Sequence, residues 1–180
     1  MQAIFGRESA GERRAGVATD TGDEVFAALS RRHVDAAYRL AWAILNNDGD
    51  ADDATQDSFV LAWRHRRSLR DPASFDAWFG RILVNVCRQT LRRRARQRVR
   101  PLVEADDPTV SDASADATSR DVIARAIARL DADHRIVVVL RYWADLSVDD
   151  IADRLDVPPG TVKSRLHYAL RSMRPRLEAR

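Results

Sequence analysis

The stretch LSVDDIADRLDVPPGTVKSRLHYALRSMRPRL, residues 146–177, holds two helical periodicities on either side of a double proline. Ser147, with Asp150 three residues on, has the spacing of a capping box, and Val148, Ile151, Ala152 and Leu155 follow as one apolar face. Asp156-Val157-Pro158-Pro159-Gly160 stops that helix, because the prolines remove two backbone donors and extend the residues before them. A second helix is expected from about Thr161, burying Val162, Leu166, Ala169, Leu170 and Met173 and showing Lys163, Ser164, His167 and Arg171. This is the helix-turn-helix layout, whose second helix enters the major groove of DNA. A plain helical hairpin would share the layout, but residues 159–180 carry six basic side chains against one acidic, the surplus of a surface that faces phosphates. Lys163, Ser164 and His167 are candidates for base edges, and Arg165 and Arg171 for phosphates.

Upstream, Ile123, Ala126, Ile127 and Leu130 form the stripe of another helix starting near Asp121. The run IVVVL at 136–140 is β-branched and reads locally as a strand, yet no partner strand exists in the chain, so a helix is predicted. Further upstream, Phe26, Leu29, Ala37, Leu40, Ala41 and Ile44 mark a helix of about six turns after an Asp23 cap. A second is expected over residues 50–66 with Ala54 and Leu61 inward and Phe59 and Trp63 as further candidates. A third starts near Ser74, with Phe75, Trp78, Phe79, Ile82, Leu83 and Val86 on one stripe. The expected fold class is therefore all-α: a three-helix bundle and a four-helix unit with the helix-turn-helix, joined by a flexible linker.

Composition supports that division. The chain has 180 residues, 45% hydrophobic and 32% charged, and four of its seven glycines lie in the first 22 positions. Sheets of this size need more turn residues than remain. The net charge of +3 is segregated: −1 over 1–23, +6 over 24–100, −5 over 101–121 and +3 over 122–180. The first segment reads as a disordered leader. The third, PLVEADDPTVSDASADATSRD, reads as an acidic flexible linker, having too little apolar surface to offset the entropy of ordering.

The longest apolar run, Leu40 to Leu45, is six residues, against the roughly 20 of a spanning helix. The first residues, MQAIFGRESAGERRAG, lack the apolar core of a secretory signal, so a cytoplasmic location is expected, which the single Cys87 suits. No membrane insertion, cofactor, metal or small-molecule substrate is expected, and no catalytic residue: His33, His65, His134 and His167 lack ligand spacing, and no glycine-rich phosphate loop exists. Five aspartates between Asp48 and Asp57 miss the glycine and glutamate of a calcium loop; they read as an acidic helix start or a protein-binding face that includes Gln56 and Asp57. Seven arginines from Arg88 to Arg100 continue the aromatic stripe, the usual platform for single-stranded nucleic acid, although a solvated helix end has the same charge.

These motifs resemble the extracytoplasmic-function, or group IV, sigma factors of bacterial RNA polymerase. DADDATQDSFVLAWRH (50–65) is similar to the family's core-polymerase-binding helix, SFDAWFGRILVNVCRQTLRRR (74–94) to its promoter-melting helix, and LSVDDIADRLDVPPGTVKSRLHYAL (146–170) to its upstream-element reader. The resemblance implies sigma region 2 at 24–100 and sigma region 4 at 122–180. It implies that Asp50, Asp53, Gln56 and Phe59 dock or shape the polymerase-binding face. Ser74, Phe75, Trp78, Asn85, Arg88 and Arg92 would then surround the melted minus-ten element, where an extruded base needs a pocket to offset its unstacking. Thr161, Lys163, Ser164, Arg165, His167 and Arg171 would read the minus-thirty-five element as duplex. Tyr168 departs from the pattern, standing where many members have a basic residue.

The implied partners are core RNA polymerase, promoter DNA and a dedicated anti-sigma factor, and the implied role is promoter-specific initiation by a non-enzymatic subunit. Two rivals make different demands. A free-standing dimeric helix-turn-helix regulator binds a symmetric site without polymerase. A basic RNA-binding or adaptor protein shows salt-governed affinity without sequence preference.

Overall fold

Seven α-helices and two short 3-10 turns, with the loops between them, make up the residues described by the computed structural model, 21–99 and 119–178, and no strand occurs among them. The leader and linker expected at 1–23 and 101–121 lie outside the described residues except for their last three positions, which are helical.

Helix α1 (Thr21–Leu45) starts before the expected Asp23 cap; Asp23 sits in its first turn and pairs with Arg66 at 2.6 Å. Asn46 takes a left-handed φ of 52°, and Asn47 caps α2 (Asp48–His65) by accepting the Asp50 amide at 2.9 Å. The turns Arg66–Ser68 and Pro72–Ser74, the second capped by Asp71, lead into α3 (Phe75–Val99). These three helices pack on one another as the first bundle. Phe75 stacks on Phe79 at 5.4 Å between centroids, and Phe79 on Phe59 at 4.4 Å, with Ile44, Leu83, Val84 and Cys87 fully enclosed nearby.

The second unit comprises α4 (Ser119–Ala128), α5 (Ala132–Tyr142), α6 (Val148–Leu155) and α7 (Pro159–Glu178). IVVVL is helical, as predicted, and Asp131 caps its helix by accepting the His134 amide at 3.0 Å. All five residues are buried, which one amphipathic face cannot explain. Val138 belongs to a small core with Ala126, Leu130, Ala169 and Met173, whereas Ile136, Val137, Val139 and Leu140 join the large core that contains Phe75 and Leu83. Helix α5 is thus covered on both sides, by its own unit and by α1 and α3 of the first.

The two halves are packed together through this helix and through α6 on α3, rather than held only by a linker. Some inward assignments change as a result of actual packing: Ile123 and Leu170 are 46% and 43% exposed, and Trp63 is 40% exposed with Arg66 stacked 3.9 Å over its ring.

Candidate nucleic-acid interface

The start of α6 is a complete capping box. Ser147 accepts the Asp150 amide at 3.0 Å and Asp150 accepts the Ser147 amide at 3.2 Å. The Ser147 hydroxyl and amide hold the Asp150 carboxyl below the usual carboxylate range. Asp156 ends α6 in a left-handed conformation, φ 54°, and α7 begins at Pro159. That is two residues earlier than expected, because proline is tolerated in a first helical turn, where its missing N–H has no intrahelical acceptor.

Along α7, Val162, Ala169 and Met173 face inward, while Lys163, Ser164, His167 and Arg171 are exposed. Thr161 is half-buried, and its carbonyl accepts the Ser164 hydroxyl at 2.9 Å. Tyr168, 59% exposed, lies edge-on to His167. Arg165 does not join the exposed row: it turns toward Asp133, 3.8 Å away.

On the first half, Ser74 is exposed at the start of α3, and Asn85 is exposed and accepts from Arg88 Nη1 at 3.2 Å. Trp78 is half-buried and donates its indole N–H to the Ser68 hydroxyl at 3.1 Å. Phe75, expected beside a melted strand, is 1% exposed within the aromatic stack and so supports this surface from beneath. Arg88 and Arg92 both reach Asp133, at 3.2 and 2.9 Å. Burial pulls the Arg88 pKa down, and neighbouring Arg92 and Arg165 add to that effect against the opposing Asp133.

The expected polymerase-binding residues lie on or under a groove between α2 and α3. Asp50, Asp53 and Gln56 line it opposite Arg93 and Arg96; Asp50 is paired with Arg94, and Gln56 donates to Asp52 at 3.1 Å. Phe59 is half-buried on Phe79 and shapes the groove from below.

Sequence reasoning missed the residues that join the halves, because partners far apart in the chain leave no periodic signal. Asp133 is one. Another is Arg154, only 9% exposed, which reaches Asp76 at 2.8 Å and lies over Gly80 so closely that a Cβ there would stand 2.7 Å from the guanidinium. Arg135 donates to the Ile44 carbonyl at 3.3 Å. Among the described residues no group of three metal-ligating side chains converges, and burial pushes the Cys87 thiol up to about 12.

Two family descriptions match the chain: "Sigma-70 region 2" over residues 29–97 and "Sigma-70, region 4" over 120–173. The ECF RNA polymerase sigma factor SigM of Mycobacterium tuberculosis is 38% identical over 140 residues, covering 78% of this chain and 70% of that protein. The chain belongs to the ECF sigma factors. SigE of Mycolicibacterium smegmatis, also an ECF RNA polymerase sigma factor, is 33% identical over 164 residues, and the match takes in 86% of this chain but only 63% of that relative's length. Among solved structures, CnrH, in complex with the cytosolic domain of CnrY, superposes with a TM-score of 0.59 at 28% identity, over 86% of this chain and 88% of that one. The ECF sigma factors are transcription-initiation factors rather than enzymes. No helix among the described residues is long and apolar enough to cross a membrane.

Proposed function

We propose that the chain binds core RNA polymerase and reads a promoter at two places, the minus-thirty-five element as duplex with α7 and the minus-ten element as a melted strand beside α3. One observation carries this reading: α7 buries Val162, Ala169 and Met173 while presenting Lys163, Ser164, His167 and Arg171 in a row beyond a capped turn. A helix presented in that way fits the major groove. Ser74, Trp78 and Asn85 sit on the first half's surface with the arginines of α3 behind them, a combination suited to holding an unstacked base and its backbone. Asp53 and Gln56 on the α2–α3 groove are the polymerase contacts of this reading, and residues 24–100 and 122–180 its two functional units.

An anti-sigma factor is the regulatory partner in this proposal, supported by CnrH being held by a domain of a second protein. The chain acts in the cytoplasm, where polymerase and promoters meet.

Run-off transcription from a genomic promoter library with purified bacterial core polymerase tests the reading. Start sites that depend on both proteins are expected, and Lys163→Ala should reduce output from promoters with an upstream element about tenfold, the value of one good base contact. Start sites independent of the chain, together with tight duplex binding by the chain alone, would replace it with the free-standing regulator.

A further inference from the structure

A tryptophan side chain has a single hydrogen-bond donor, its indole N–H, and in Trp78 that donor is engaged within the protein. It donates to the Ser68 hydroxyl at 3.1 Å, and the hydroxyl donates in turn to the carbonyl of His65, the last residue of α2, at 2.8 Å. On another side of the indole lies Phe75, 1% exposed, with ring centroids 5.9 Å apart and planes tilted by 51°. The ring is thus tied at its polar edge to the turn after α2 and backed by the aromatic stack, while part of it stays open to solvent.

Holding the N–H this way leaves the indole nothing polar to offer a base edge. What remains is a π face, on which every base can stack. The chain from indole N–H through hydroxyl to carbonyl also orders the ring before DNA arrives, so less rotamer freedom is lost when a base settles on it. Ser68 is exposed and Trp78 only half-buried, and a hydrogen bond at such a surface position adds little to folding, because water would replace it. Its consequence is orientation. Arg67 and Arg70, exposed on either side of Ser68, supply cations suited to the backbone of a strand held there.

We propose that Ser68 is a positioning residue for promoter opening: its hydroxyl holds the Trp78 indole as a pre-set stacking surface for an unpaired base of the minus-ten element. That surface accepts any base and leaves discrimination to other groups. The inference rests on the reading of Trp78 as facing the melted strand.

The test uses the full chain assembled with purified core polymerase, on a promoter found by the run-off experiment and carrying 2-aminopurine at successive minus-ten positions. Stopped-flow fluorescence separates initial binding from opening. Ser68→Ala is expected to slow opening about tenfold, the scale of one base–aromatic stack, with initial binding and affinity for core unchanged. Ser68→Thr keeps the hydroxyl and should restore most of the rate. Trp78→Phe keeps a stacking face without the N–H, so Ser68→Ala should add nothing in that background. Additive losses would mean that Ser68 acts other than through the indole, and they overturn the proposal. The position whose signal Trp78→Ala changes most marks the base on the ring. Exchanging the natural bases there should alter the Ser68→Ala effect less than about twofold, and a loss confined to one base overturns the base-blind role. If Trp78→Ala slows opening and Ser68→Ala does not, positioning by Ser68 is refuted while the DNA-facing reading stands. If neither variant alters opening, that reading of Trp78 fails first and the proposal falls with it.

Discussion

Cys87 shows how completely one position can be decided by its surroundings. It is fully enclosed on α3, and burial raises its thiol pKa to about 12, so neither the thiolate nor a path to it is available in the folded state. An aromatic disulfide reagent at about pH 8 should leave the native chain unlabelled and react with one thiol per chain in denaturant. Stoichiometric labelling without denaturant would show that α3 is not packed as described. The sequence allowed Cys87 to be placed mid-helix in an apolar stretch, and that much was legible from spacing. Phe75 was legible as part of the same stripe but not as interior, because periodicity gives the face of a helix and not what lies against it. Arg165 shows the opposite limit: its position on α7 was clear, whereas its direction is set by Asp133 on another helix.

At the level of single helices, the cap of α6 was legible, since it depends on two residues three positions apart, whereas Asp23, expected as the cap of α1, lies inside its first turn. The α6 box was read from Ser147 and Asp150 alone, and it carries a pH dependence. The Asp150 pKa is lowered in the folded state, so its stabilising contribution is present above the ordinary carboxylate range and is lost as pH falls through the lowered value. Ser147→Ala should cost about 1 kcal/mol at neutral pH, the usual value for a serine cap, and should flatten the acid limb of the Tm-against-pH curve. Thermal melts followed by circular dichroism check both, and parallel curves for variant and wild type would refute the assignment. The lack of a partner strand makes IVVVL a helix, and its all-round apolar character carries a further meaning that periodicity alone does not give. A helix buried on every side in a unit this small needs a second body to cover it. Ile136, Val137, Val139 and Leu140 find that body in the first bundle.

For the whole molecule, the halves were legible separately and their union was not. Each half is built from local periodicities, whereas the ion pair Arg154–Asp76 spans 78 positions and rests on a residue type, glycine, that leaves no trace in an apolar pattern. Gly80 lies under the Arg154 guanidinium with no room for a Cβ beside it. The missing side chain works as the clearance of a fitted joint, and a joint can be shimmed. Alanine at 80 has to displace only the end of a flexible arginine; valine and leucine have to push α6 itself away from α3. A series Gly80→Ala, Gly80→Val, Gly80→Leu should therefore widen the molecule in steps, read as a rising radius of gyration with helix content unchanged, and a radius indifferent to side-chain size would show that the halves do not meet at this point. Because the steps come from volume and not from charge, such a series would set the separation of the two units by sterics at a fixed ionic strength, giving a graded mechanical control that no change of buffer provides.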